Sequence, residues 1–256
     1  MWTIKTSPYG GFLVICSYGV TDIGLRRQMN QDRVYTSDKP IGPLPNLYIV
    51  ADGMGGHNAG ELASAITVRV MEEELSSMHD STPENALETS IRCANAATWQ
   101  QAQIREGCKG MGTTVVACTC IGSDLLVANV GDSRLYLCAE GISQVTVDHS
   151  LVEEMIQMGG IDRTSARNHP DKNIITRAVG VRSHVEIDLF KTAVKPGDII
   201  LLCSDGLTNM LDDMAILEIV RGEGSLKEKT NKLVAIANDN GGRDNISVIL
   251  VDPFAK

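Results

Sequence analysis

The chain has 256 residues, 43% of them hydrophobic, and a net charge of -9 at pH 7. That length can bury a large apolar core, and no linker-like tract divides it, so residues 1–256 read as a single domain. The acidic balance argues against nucleic acid or an anionic membrane as the main partner, since both select a basic face.

In chain order, the apolar stretch Gly11–Val20 is too short to span a bilayer and precedes no small-residue cleavage site, so it reads as a first strand rather than a signal peptide. Leu47–Ala51 is a short continuous apolar run, the pattern of a strand buried on both faces. A helix is expected from about Asn58–Glu61 to Ser77, with Leu62, Ile66, Val70 and Leu75 toward the core. The next helix has a start signal in Thr82 as N-cap, Pro83 at the first helical position and Glu84 in the first turn, and turns Leu87, Ile91, Ala94 and Thr98 inward. Strand-like runs follow at Thr113–Cys120, Leu125–Val130, Arg134–Cys138, Val185–Phe190, Asp198–Cys203 and Ile246–Val251. A late helix opens on the capping box Ser225-x-x-Glu228 and ends near Gly241. Helices grouped in sequence between runs of strands predict an α+β layered fold. The seven cysteines are irregularly spaced, and Cys118 and Cys120 read as core residues on one strand face, which suits a reducing cytoplasm.

Four aspartates stand where apolar runs break into tight turns: Asp52, Asp132, Asp205 and Asp244. Asp-Gly after a strand is ordinary turn chemistry when met singly. As a set the four read as a carboxylate cage, because a buried carboxylate needs a compensating charge and a hard divalent cation supplies it. Carboxylates, carbonyls and water suit Mn2+ or Mg2+. No Cys-x-x-Cys or paired His offers a zinc site, and no Cys-x5-Arg loop offers a thiolate nucleophile. The spacing of Gly53, Gly55, Gly56 and Gly60 is not that of a dinucleotide-binding loop, so these glycines read as tight backbone beside the ions.

The motifs then resemble, in order, those of the metal-dependent type 2C Ser/Thr protein phosphatases (PPM family) in their short bacterial form. They are Thr21-Asp-x-Gly24, Arg27-x-x-Asn-Gln-Asp32, Asp52-Gly-Met-Gly-Gly-His57, Gly112-Thr-Thr114, Gly131-Asp-Ser-Arg134, Asp148-His-Ser150, Thr176-Arg177, Ser204-Asp-Gly206 and Gly242-Arg-Asp-Asn245. The resemblance spans about residues 17–251. It implies a four-layer α-β-β-α sandwich, two central, mostly antiparallel β-sheets flanked by helix pairs, forming one type 2C catalytic domain over residues 1–256 with a flap region at about 148–177.

It also implies that two core metals are bridged by Asp52, with the Gly53 carbonyl on one ion and Asp205 and Asp244 on the other. Asp32 would act through water, and Asp132 with Asp205 would hold a weaker third ion. Arg27 would hold the substrate phosphate, for which a guanidinium fork is well shaped, while Arg26 reads as a solvated charge. His57 is assigned a catalytic role, protonating or orienting the leaving group, beside a purely structural alternative; related eukaryotic enzymes instead carry a His where this chain has Met54. Asp148 and His149 read as a turn rather than a second metal site. The flap has Ser165-Ala166 where members often carry Glu-Ala, a departure that bears on substrate preference.

The expected activity is hydrolysis of phosphoserine and phosphothreonine in proteins by a metal-activated water, opposing a bacterial Ser/Thr kinase, in a cytoplasmic monomer. The alternatives are a noncatalytic phosphoprotein-binding module of the same fold, which loss of a metal aspartate would signal, and a metal phosphodiesterase or nuclease, which the acidic balance disfavours.

Overall fold

The structure is a computed structural model that describes residues 14–255 apart from residues 57 and 168. The expected first strand therefore begins in residues outside that description, as does the catalytic assignment to His57. Two sheets carry the architecture. The first runs β1 (Val14–Asp22), β11 (Ile246–Ala255), β10 (Ile199–Cys203), β7 (Arg134–Cys138) and β8 (Ile142–Gln144). The second runs β2 (Asp32–Ser37), β3 (Leu47–Met54), β5 (Val115–Ile121), β6 (Asp124–Val130) and β9 (Asp188–Ala193), with the short β4 (Gly112–Thr113) on the end of β3. Neighbouring strands within both sheets pair antiparallel.

The continuous apolar runs are explained by burial on both faces. Val50, Val116, Cys118, Leu125, Leu202 and Ile249 fill the layer between the sheets. On the outer face of the second sheet α1 (Ala59–Ser77) and α2 (Pro83–Ile104) set Leu75, Leu87 and Ile91 against Ile49 and Ala117. On the outer face of the first, α6 (Asp213–Arg221) and α7 (Leu226–Asp239) set Ile216 and Leu233 against Tyr136, Leu201 and Leu250. The result is the α-β-β-α sandwich. Cys118, Cys120, Cys138 and Cys203 are all buried core members. Among the described residues no helix is long and apolar enough to cross a membrane.

The end signals behave as local chemistry requires. The Thr82 side chain accepts from Asn85 N, and Ser225 and Glu228 form the reciprocal capping box. Three expectations need correction. The run at Val185–Phe190 is displaced: the strand is Asp188–Ala193, while Val185 and Ile187 pack on the cluster beneath α1 and α2 instead of joining the ladder. Thr113–Cys120 is two strands, β4 and β5, broken at Thr114. Asp52 lies within β3, opposite Asp32, rather than past its end. Between β8 and β9, residues 148–177 form an excursion with two short helices, α3 (Leu151–Gln157) and α4 (Arg163–Arg167). Its two ends meet: Leu151 N donates to Ile174 O and Thr176 N to His149 O.

Candidate active site

At one end of the sandwich the ends of strands from both sheets open into a cleft lined by Arg27, Asp52, Gly53, Asp132, Asp205 and Asp244, with Thr114, Asn173 and Ile175. Each side chain is placed by a different element. Asp52 and Asp32 face each other across the β2–β3 pair. Asp132 follows β6 in the turn to β7, and Asp205 follows β10 as the first residue of α5 (Asp205–Thr208). Asp244 precedes β11, which pairs with β10, so the antiparallel ladder carries the two acids to the same end.

The polar scaffold beneath is dense. Ser204 Oγ donates to Asp32 Oδ2 at 2.8 Å and accepts from Ser247 N. Asn209 Nδ2 donates to Asp205 Oδ2 at 2.9 Å, one helical turn on. Asp52 N donates to Thr114 Oγ1, while Thr113 Oγ1 and Thr114 N both donate to Asp52 O. Asn245 Nδ2 donates to the carbonyls of Ile23 and Met29, and its Oδ1 accepts from Gln31 N, so one amide threads the segment carrying Arg27 onto the start of β11. Gly53 is required by close approach: a Cβ there would stand 2.1 Å from Gly60 O.

Electrostatically this end is short of positive charge. Asp32 is fully buried, and burial, with the charges of Asp205 and Asp244 nearby, pushes its carboxyl well up; Ser247 and Ser204 oppose this. Burial likewise raises Asp52, with Asp32, Asp205, Asp132 and Asp244 adding repulsion, and raises Asp132 and Asp205. Two carboxylate oxygens, Asp32 Oδ1 and Asp205 Oδ1, are buried without a hydrogen-bond partner. Native structures rarely leave such atoms unmatched. The described residues supply two cations here: Arg27, whose Nη2 donates to Asp244 Oδ2 at 2.7 Å, and Arg134, which pairs with Asp148 and whose charge opposes the rise of Asp132 and Asp205. Among the described residues no three His, Cys, Asp or Glu side chains converge closely enough to hold an ion as they stand. Hard oxygen donors, two of them orphaned, fit a divalent cation all the same.

The structure therefore brings together Arg27, Asp32, Asp52, Gly53, Asp132, Asp205 and Asp244 of the expected set. Sequence reading assigned no part to Ser204, Asn209 and Asn245, which orient the acids; the signal for Asn209 is its i+4 spacing from Asp205. Asp148 is more than a turn residue: it forms a bidentate pair with Arg134, Nη2 to Oδ2 at 2.6 Å and Nε to Oδ1 at 2.9 Å.

A family model described as protein phosphatase 2C matches residues 25–250. The serine/threonine phosphatase stp of Listeria innocua is 41% identical over 239 residues, covering 91% of this chain and 93% of that one. The solved serine/threonine phosphatase of S. agalactiae superposes with a TM-score of 0.86 at 37% identity, covering 93% of this chain and 98% of that chain. A structure of the catalytic domain of the phosphatase PstP in complex with two manganese ions superposes with a TM-score of 0.82 at 32% identity, covering 94% and 98%. With a family model matching most of the chain and relatives at these identities and coverages, the chain belongs to the protein phosphatase 2C family.

Proposed function

We propose that the cleft hydrolyses phosphoserine and phosphothreonine in proteins by direct attack of water, with divalent cations held by Asp52, the Gly53 carbonyl, Asp205 and Asp244, and a weaker one by Asp132 with Asp205. Family membership at about 40% identity makes the chain a protein serine/threonine phosphatase; the residue roles are our reading. The observation that carries it is the crowding of buried carboxylates with two unmatched oxygens beside the Arg27 guanidinium.

Divalent ions, when bound, supply the charge that lowers the pKa of water toward neutrality and offsets that of the phosphate. Mn2+ and Mg2+ both suit these donors. Arg27 binds the phosphate. Its pairing with Asp244 is 51% and 33% exposed, so solvent screens it and the fork exchanges partners at little cost. Asp32, clamped by Ser204, orients water at the floor. His57 is the proposed proton donor to the seryl or threonyl oxygen. No protein nucleophile is invoked. The kinase-opposing role, the cytoplasmic monomer and the extent of the catalytic domain as the whole chain belong to the same proposal.

The test is phosphate release from a phosphothreonine peptide with Mn2+, repeated with EDTA and with Asp205→Ala. Release lost in both supports the reading. Absence of release by a folded, metal-binding protein overturns it in favour of a noncatalytic module.

A further inference from the structure

On the rim beside Arg27 two short segments are locked together. Leu25 N and Arg26 N both donate to Gly242 O, at 2.8 and 3.1 Å. Both turns need glycine. Gly24 has φ +77°, and a Cβ there would stand 2.1 Å from Asp244 O; Gly242 has φ +49°, and its Cβ would meet Leu25 N at 2.8 Å. The backbone at this corner of the cleft is therefore fixed before any ligand arrives, and it sets Arg26 and Arg243 beside Arg27.

The three guanidiniums are not equivalent. Arg27 donates to Asp244 and lines the cleft. Arg26 and Arg243 are exposed, and among the described residues neither has an ion pair or a side-chain hydrogen bond. The chain holds 32 Asp and Glu against 23 Lys and Arg, so acids are not scarce. The two that flank these segments are already engaged. Asp22 Oδ1 accepts from Gly24 N and Asn238 Nδ2, and Asp244 is held by Arg27 and by Asn245 N. Three like charges on one fixed corner repel one another, and an anion from outside the chain relieves that repulsion. Ile23 and Leu25, 40% and 65% exposed, add apolar surface to the same corner, which suits a peptide better than a free ion.

We infer that Arg26 and Arg243 form a subsite for an anionic side chain of the substrate, a carboxylate or a second phosphate, close in sequence to the phosphoserine or phosphothreonine held at Arg27. The inference deepens the proposed function and rests on the role given there to Arg27. An extended chain advances about 3.3 Å per residue, so an anion about one to three residues from the phosphorylated one reaches this corner. The subsite touches neither the reacting phosphorus nor the buried acids, so it acts on KM rather than on kcat. Its contacts are exposed, so salt weakens them.

The test uses the full chain with Mn2+ and three fluorescent peptides in which a non-hydrolysable phosphonate replaces phosphothreonine. The flanking residues are all neutral, or include Glu, or include a second phosphonate. Anisotropy at low and high salt reads binding, and the same flanks on phosphothreonine peptides give kcat and KM. Arg26→Gln and Arg243→Gln are made singly and together, with circular dichroism and turnover of a small aryl phosphate to verify the fold and the centre.

The wild type is expected to bind at least one anionic peptide at least about threefold more tightly than the neutral one, the value of two screened charge contacts, with a preference that shrinks in salt. The double variant is expected to bind all three alike, with kcat on the neutral peptide and aryl phosphate turnover within about twofold of the wild type. Preference for the second phosphonate alone identifies a phosphate as the ligand, and preference for Glu alone a carboxylate. Equal binding of the three peptides by the wild type, or a preference retained by the folded double variant, overturns the proposal. So does aryl phosphate turnover that falls as far as the anionic peptide's, because the two arginines would then serve the centre itself. Wild-type protein that binds with the expected preference yet releases no phosphate shows the phosphatase reading failing by itself.

Discussion

The floor of the cleft and its wall are built to different standards. The floor is made of strand ends whose register is fixed by antiparallel ladders, and its acids rest on Ser204, Asn209 and Asn245. The wall is a loop excursion with helices of seven and five residues, and the ion pair that braces it, Arg163 with Glu153, is 74% exposed on the arginine side. Chemistry that needs side chains fixed to within a fraction of an ångström belongs on the floor. On the proposed reading, selection among phosphoproteins, which tolerates adjustment, falls to the wall.

The sharpest break in that contrast is on the floor. Asp205→Ala is expected to lower kcat/KM by about a thousandfold, the cost of losing one preorganised electrostatic element, with the fold retained by circular dichroism. Next, Arg27→Ala is expected to lower kcat/KM toward phosphopeptide by about 10–100-fold, the value of a charge-assisted contact, with Arg27→Lys recovering only part. A subtler effect concerns stability. Without divalent ions Asp52→Asn removes one of several repelling buried charges, so it is expected to melt above the wild type, by about 2–4 °C for each kcal/mol relieved. With Mn2+ the order reverses, because the wild type gains more from binding. Differential scanning with and without EDTA reads both.

The smallest effect lies in the wall. Arg163→Ala breaks an exposed pair worth at most about 1 kcal/mol, so it is expected to shift preference among phosphopeptides while leaving hydrolysis of a small aryl phosphate within about twofold. Equal loss on both substrates would show that floor and wall are not separable.

What was legible in the sequence divides along similar lines. Thr82-Pro83 and Ser225-x-x-Glu228 act within one helical turn, so their residue types alone locate α2 and α7. The aspartates were legible because each ends or begins an apolar run. β2 was missed because Asp32-Arg-Val-Tyr-Thr-Ser37 is a mostly polar strand, only partly buried beyond Asp32. α6 was hidden by the turn-like residues ahead of it, although Asp212 caps it by accepting from Ala215 N. Val185 and Ile187 alternate as a strand would, and periodicity does not distinguish pairing from packing under a helix. The contacts that set the site, Arg27 with Asp244 and Ser204 with Asp32, join positions 217 and 172 apart, a separation that no spacing rule reaches.

The buried cysteines carry a consequence for the cell's redox life. Burial pushes the thiols of Cys118, Cys138 and Cys203 well up, so they stay protonated and dry, Cys203 only two positions from Asp205. Peroxide attacks thiolates, and it silences phosphatases whose nucleophile is a sulfur. With these interior thiols held protonated and the proposed attack made by water, the proposed chemistry has no sulfur nucleophile for an oxidant to remove.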